Sequence, residues 1–211
     1  MRKWLQYGGI AAAVVLIAFG IGALVLSIQG KNTVTDSLSQ EHIVGTPDMT
    51  PSAIKDEGTK AGLNPHTVDY PSCTVANKPV DTASEARCFA EYMRIHALEA
   101  SGGLTYAQMP RYATADGKGT NDATKALVSK GQPVDNPARN LWVTETALST
   151  ALNVSYMAGR LALFSVVTGI ALLLSGIGFG ILSWAALSRR RVESTEAATA
   201  ARPVTGAPSP A

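Results

Sequence analysis

The sequence predicts a mainly α protein: a hairpin of two transmembrane helices carrying a small helical extracytoplasmic head, with the second span continuous with a long exposed helix. Three observations predict it. Trp4 to Gly30 and Leu161 to Ser188 contain no Asp, Glu, Lys, Arg or His, and each exceeds the roughly 20 apolar residues a helix needs to cross about 30 Å of hydrocarbon. Basic residues flank the pair, Arg2 and Lys3 before the first run and Arg189, Arg190 and Arg191 after the second. Between the runs lie the only two cysteines, Cys73 and Cys88, in a segment punctuated by prolines and helix caps.

The first run, 4–30, has a rival reading as a cleaved secretory signal with Met1, Arg2 and Lys3 as its positive start. Its apolar core is longer than the roughly 7–15 residues usual for such a signal, and Leu26-Ser27-Ile28-Gln29-Gly30 lacks an Ala-x-Ala site, which favours an uncleaved anchor. Positive flanks remain in the cytoplasm. That rule predicts a plasma-membrane protein with residues 1–3 and 189–211 inside and 31–160 outside. Trp4, Tyr7 and Trp184 then fall at the inner interface and Tyr156 near the outer one.

The net charge of +2 is an average over unlike parts. The segment 31–160 carries 12 Lys and Arg against 14 Asp and Glu, so the cationic excess sits beside the membrane, where it favours anionic lipid. Nucleic-acid binding needs a basic patch on a folded surface, and the composition argues against it.

With both cysteines outside the membrane, a Cys73–Cys88 disulfide is expected, because thiols there oxidise and stay oxidised. The rival readings are two free thiols or a zinc site, and zinc would want more Cys or His at short spacing.

Within 31–160 the helix signals run in order. Lys31 to about Gln40 extends the first span. Thr50-Pro51 offers an N-cap and a proline at the first helical position, and Gly62 closes that helix after Ala61. A proline-rich connector follows to Pro79. Thr82-Ala83-Ser84-Glu85 is a capping box opening a helix that ends at Gly102-Gly103, with Phe89, Tyr92, Met93 and Leu98 on one face. Residues 104–120 read as loop, and Asn121 caps a short helix from Asp122 to Lys130, stopped by Gly131. Asn136-Pro137 starts the last helix, which runs to about Arg190 either unbroken or as two helices joined near Gly159. The tail from 189 is rich in Ala, Thr, Pro, Ser and Glu and is expected to be disordered.

Candidate chemistry is sparse. Asp116-Gly117-Lys118-Gly119-Thr120 has the composition of a phosphate loop without its G-x-x-x-x-G-K-[ST] order, and it follows no strand. A weak cation site from Asp116, Asn121 and Asp122 is an alternative to a simple glycine-rich turn. His42, His66 and His96 are the only imidazoles. With a carboxylate such as Glu41 or Glu99 they form the other metal candidate, although no pair has ligand spacing. Neither a nucleophile elbow nor a cofactor motif is present, and Asn153-Val154-Ser155, which matches a glycosylation sequon, falls in the last helix and reads as chance.

Inside the spans, small residues line up at Ala18 and Gly22 with Ala23 and Ser27, and at Ser165, Gly169, Gly176 and Gly180. Such lines let helix backbones approach closely, within the hairpin or against another membrane protein or a second copy. Pumps and channels place ionisable groups inside the membrane, and neither span has one, which argues against a conduit.

The stretches IVGTPDMTP, RCFAEYMRIHALEASGGLTYAQMPRYATADGKGTNDATKAL and DNPARNLWVTETALSTALNVSYMAGRLALFSVVTGIALLLSGIGF resemble uncharacterised two-span membrane proteins of high-GC Gram-positive bacteria. The resemblance covers nearly the whole chain except the tail. Some of those proteins bear the label aromatic ring-opening dioxygenase, but no catalytic motif comes with the resemblance, and a non-haem iron centre would need two His and a carboxylate on one face. The expected function is therefore a structural or accessory component of the cell envelope, non-enzymatic and without cofactor, meeting lipid and a membrane or envelope partner or itself. An extracytoplasmic ligand sensor and a metal-dependent enzyme are the alternatives.

Overall fold

The computed structural model describes residues 2–200, with side chains from 7 to 185. Four α-helices dominate it: α1 (Arg2–Gln40), α2 (Pro51–Lys60), α3 (Ala83–Ala100) and α4 (Pro137–Ala200). Two helical stretches, Tyr7–Gln40 and Pro137–Ala185, are long and apolar enough to cross a membrane. Only 11% of each one's most apolar window is buried, which separates them from the core helices of a water-soluble domain. The chain divides into two compact units, one of residues 1–28 with 163–211 and the other Gln29–Ala162.

In the first unit the two helices run antiparallel on a seam of small side chains. Ala13, Gly20 and Ser27 are buried on α1, and Gly169, Gly176 and Ser183 on α4. Each set recurs every seven residues, the period that keeps one stripe of a helix facing its partner. A Cβ at Gly20 would lie 2.9 Å from the carbonyl oxygen of Gly169, and one at Gly176 would lie 3.0 Å from that of Ala13, so glycine is what permits the approach. Phe19, Leu26, Phe164, Leu174 and Leu182 are exposed, as side chains meeting lipid would be.

Of the line expected on the first helix, Ser27 lies on this seam and Ala18 and Gly22 do not. Ala18 and Gly22 are exposed, and nothing lies within 4 Å of a Cβ placed at Gly22. At 3.6 residues per turn each is about 200° from Gly20, on the opposite side of the helix. On α4 the expected line lies on the seam face at Gly169, Gly176 and Gly180, where a Cβ placed at the last would lie 3.8 Å from the Ala13 Cβ, while Ser165 is half-buried.

In the second unit, the end of α1, the helices α2 and α3 and the start of α4 share a core of Leu38, Met49, Ile54, Val75, Tyr92 and Trp142 with their neighbours. Its helices begin where their caps dictate. The Thr50 side chain accepts from the Ala53 amide with Pro51 at the first helical position, and Gly62 leaves the helix at φ +78°. Thr82 and Glu85 form a reciprocal capping box for α3, which ends at Gly102 and Gly103, both with positive φ. The Asn136 side chain accepts from the Ala138 amide at the start of α4, which passes Gly159 without a break.

The connector is fixed to α3 by the Cys73–Cys88 disulfide, with Cα atoms 6.0 Å apart. Tyr92 Oη, fully buried, donates to the Cys73 carbonyl at 2.7 Å and ties the same two segments. The disulfide fits an oxidising, extracytoplasmic setting for this unit.

The helix expected from Asp122 to Lys130 does not form. Ala123–Lys125 is one turn of 3-10 helix, followed by a hairpin of β1 (Val128–Ser129) and β2 (Gln132–Pro133). Lys130 and Gly131 both have positive φ, at 51° and 77°, which makes the two-residue turn that matches strand twist. Asn121 is not its cap: its side chain accepts from the Arg111 amide, and Asp122 caps the short turn. Arg2, Lys3, Arg189, Arg190 and Arg191, on which the expected topology rests, have side chains outside the described residues. The disorder expected from 189 does not hold as far as Ala200, because α4 stays helical to that residue through a stretch rich in the helix formers Arg, Glu and Ala; residues 201–211 lie outside the described residues.

Candidate functional site

The most concentrated group of donor side chains in the second unit gathers where α2 meets α3. Asp48 enters from the turn before α2, Glu57 from α2 itself and His96 from α3, and one ligand atom of each lies within 4.8 Å of the others. His96 Nε2 is 3.2 Å from Asp48 Oδ2, and His96 Nδ1 is 3.3 Å from Glu99 Oε2 one helical turn further on. The imidazole is thus held at both nitrogens and cannot swing freely.

The packing around this group is tight on one side. A Cβ at Gly58 would overlap the Tyr70 hydroxyl, so the glycine beside Glu57 is what lets the connector lie against α2. Tyr70 Oη and Glu99 Oε1 are both buried without a hydrogen-bond partner. Burial pushes the Tyr70 phenol above its ordinary pKa, and the charge of Glu99 adds to the rise. Burial, with Glu91 and Asp48, raises Tyr92 in the same direction. The region is acidic, with three carboxylates about a single imidazole.

Comparison with family models, with curated proteins and with solved structures returns no match. The site has to be read from its own geometry.

Of the three histidines, only His96 joins this group. His42 is exposed at φ 51° just after α1, and His66 is exposed in the connector, its amide donating to the Asn64 side chain. The convergence of His42, His66 and His96, a metal candidate without ligand spacing in the sequence, does not occur among the described residues, because the three stand on separate segments of which only α3 brings its histidine to Asp48 and Glu57. Asp116 and Asp122 are committed to their own turns. Asp116 Oδ1 accepts from the Thr114 hydroxyl at 2.5 Å and the Lys118 amide at 3.2 Å, and these bonds hold its carboxyl below the usual range. Asp122 Oδ1 accepts from the Thr124 hydroxyl and amide, which lowers it likewise. They act as turn caps rather than as a shared pair of ligands.

Asp48 and Glu57 were not legible as partners of His96. The i, i+3 pair His96 and Glu99 was visible in the sequence, but the other two reach it only through α2 packing on α3.

Two clefts flank α3. One, of about 600 Å³, lies beside the connector and is lined by Asp69, Tyr70, Arg87, Glu91 and Arg94 among others. The other, about 210 Å³, lies between α3 and α4 beside the buried carboxylate of Glu145, which accepts from the Ser149 hydroxyl at 2.7 Å. Arg87 lines both and is held by Glu91 at 2.9 Å and by Asn153 Oδ1 at 2.8 Å. The latter bond engages the sequon asparagine in a helix–helix contact.

Proposed function

We propose that this chain is a two-span component of a bacterial plasma membrane that acts by contact, with both termini in the cytoplasm and residues 31–160 outside. The observation that carries the reading is the alternation along the chain: a charge-free apolar helix, a disulfide-pinned unit with its own core, and a second charge-free apolar helix. Basic flanks at Arg2, Lys3 and Arg189–Arg191 orient the pair. The resemblance to uncharacterised two-span membrane proteins of high-GC Gram-positive bacteria supports the two-span part of this reading. Leu127 and Val128 stand exposed on the hairpin, with Leu104 and Tyr106 exposed in the preceding loop, and these offer apolar contact points to an envelope protein.

The test is site-specific photo-crosslinking in intact cells. Crosslinkers at Val128 and Tyr106 are expected to give one discrete adduct in the envelope fraction, and membrane-impermeant thiol labelling of Val128→Cys is expected to succeed without permeabilisation. Return of only the uncrosslinked polypeptide, or labelling only after permeabilisation, would overturn the reading. The cleft of about 600 Å³ favours a second reading, an extracytoplasmic ligand sensor, because it has a ligand-sized volume and polar groups on its walls. Stabilisation of the unit by a small molecule, abolished by Arg94→Ala, would select that reading.

A further inference from the structure

We propose that Asp48, Glu57 and His96 bind one divalent transition-metal ion, of which Zn²⁺ is the reference case, with Glu99 positioning the imidazole. The inference goes beyond the contact reading above and stands whether or not a partner exists.

Four features of the group point to a metal. Ligand atoms bound at about 2.0–2.2 Å in a tetrahedron lie roughly 3.3 Å apart, and the 3.2 Å between His96 Nε2 and Asp48 Oδ2 already matches that spacing. The remaining separations do not exceed 4.8 Å, a gap the flexible Glu57 side chain closes by rotamer adjustment. Three carboxylates surround one imidazole, and Glu57 has no cationic partner within 4.0 Å among the described residues. A divalent cation offsets that excess negative charge better than a single imidazolium can.

The donor set also selects the ion. A neutral imidazole nitrogen suits Zn²⁺ and its first-row neighbours, whereas Ca²⁺ and Mg²⁺ want oxygen donors alone. Glu99 stands where a metal-bound histidine has its supporting carboxylate, accepting from the nitrogen that does not face the ion. Three protein donors leave a fourth position for water or for a donor from another molecule. Because Asp48 precedes α2, Glu57 lies on it and His96 lies on α3, the ion clamps α2 to α3.

The competing reading is a plain ion pair of protonated His96 with Asp48 and Glu99, and the experiment separates the two. The full chain in detergent micelles, stripped with chelator, is titrated with Zn²⁺ and assayed by metal analysis and by the unfolding temperature of the disulfide-pinned unit. The proposal expects one ion per chain and a rise in unfolding temperature that Mg²⁺ and Ca²⁺ do not reproduce. Glu57→Gln, which leaves the ion pair intact, is expected to weaken Zn²⁺ at least tenfold while the metal-free unfolding temperature stays unchanged. Glu99→Gln is expected to weaken it by about 10- to 100-fold, as loss of a supporting carboxylate does. His42→Gln and His66→Gln should leave binding unaltered. Absence of stoichiometric binding, or binding insensitive to Glu57→Gln, would overturn the proposal in favour of the ion pair.

Discussion

In the pair of spans the buried positions hold the smallest side chains, Ala13, Gly20, Gly169 and Gly176, whereas in Gln29–Ala162 they hold some of the largest, Phe89, Tyr92 and Trp142. The difference is the one that two solvents would impose, hydrocarbon on the apolar pair and water on Gln29–Ala162. In hydrocarbon an apolar side chain gains nothing by leaving lipid for a neighbouring helix, so association rests on close backbone approach and dispersion. In water the removal of apolar area itself drives packing, at about 25 cal/mol per Å², and large side chains contribute most. The unit Gln29–Ala162 is built on short helices and helix ends, and the disulfide and the Tyr92 hydrogen bond add a constraint to it.

The largest effect expected on this contrast comes from the disulfide. Replacing Cys73 and Cys88 together by Ser should destabilise the second unit by about 3 kcal/mol, as loss of a crosslink closing a loop of this size does, and should leave the spans helical. Thermal unfolding followed by near-ultraviolet dichroism measures the first, and far-ultraviolet dichroism of the residual helix the second. Simultaneous loss of both signals would break the separation of the two units.

A smaller effect sharpens the other side. Gly20→Val places its side chain against the Gly169 backbone and should cost the hairpin about 2 kcal/mol through overpacking. Gly22→Val, facing open space, should change stability by less than about 0.5 kcal/mol. Unfolding by SDS in mixed micelles reads both, and equal effects would show that the seam is not where these contacts put it.

The smallest effect is at the α3 capping box. Thr82→Ala should cost about 1 kcal/mol. Partial burial alone would raise the Glu85 carboxyl, but hydrogen bonds from Thr82 and Asp81 outweigh it and hold the group below its ordinary pKa. A depressed carboxylate contributes stability that is present above its unfolded pKa and lost as pH falls through the lower folded one. The acid limb of the stability profile should therefore flatten in Thr82→Ala, and an unchanged limb would remove Glu85 from that role.

These positions also mark how far the sequence could be read. Caps act within four residues, so Thr50-Pro51, Thr82 with Glu85, and Asn136-Pro137 announced α2, α3 and α4 directly. The hairpin at Val128–Pro133 was missed because Asn121 and Gly131 resemble helix signals. The Lys130-Gly131 turn gains its meaning only once Val128 and Pro133 pair across it. On the first span two lines of small residues were available, and nothing in one helix by itself tells which line its neighbour will meet.

The sequence by itself determined the two charge-free apolar runs, the caps of the short helices and the pair of cysteines, because each depends on composition or on neighbours in the chain. Tertiary structure alone decided that Ala13 and Gly20 join Ser27 on the seam while Ala18 and Gly22 face away from it, and that Asp48, Glu57 and His96 meet while His42 and His66 stay apart. Those outcomes depend on which faces pack, and packing is settled by fit between segments distant in sequence, which local pattern does not encode.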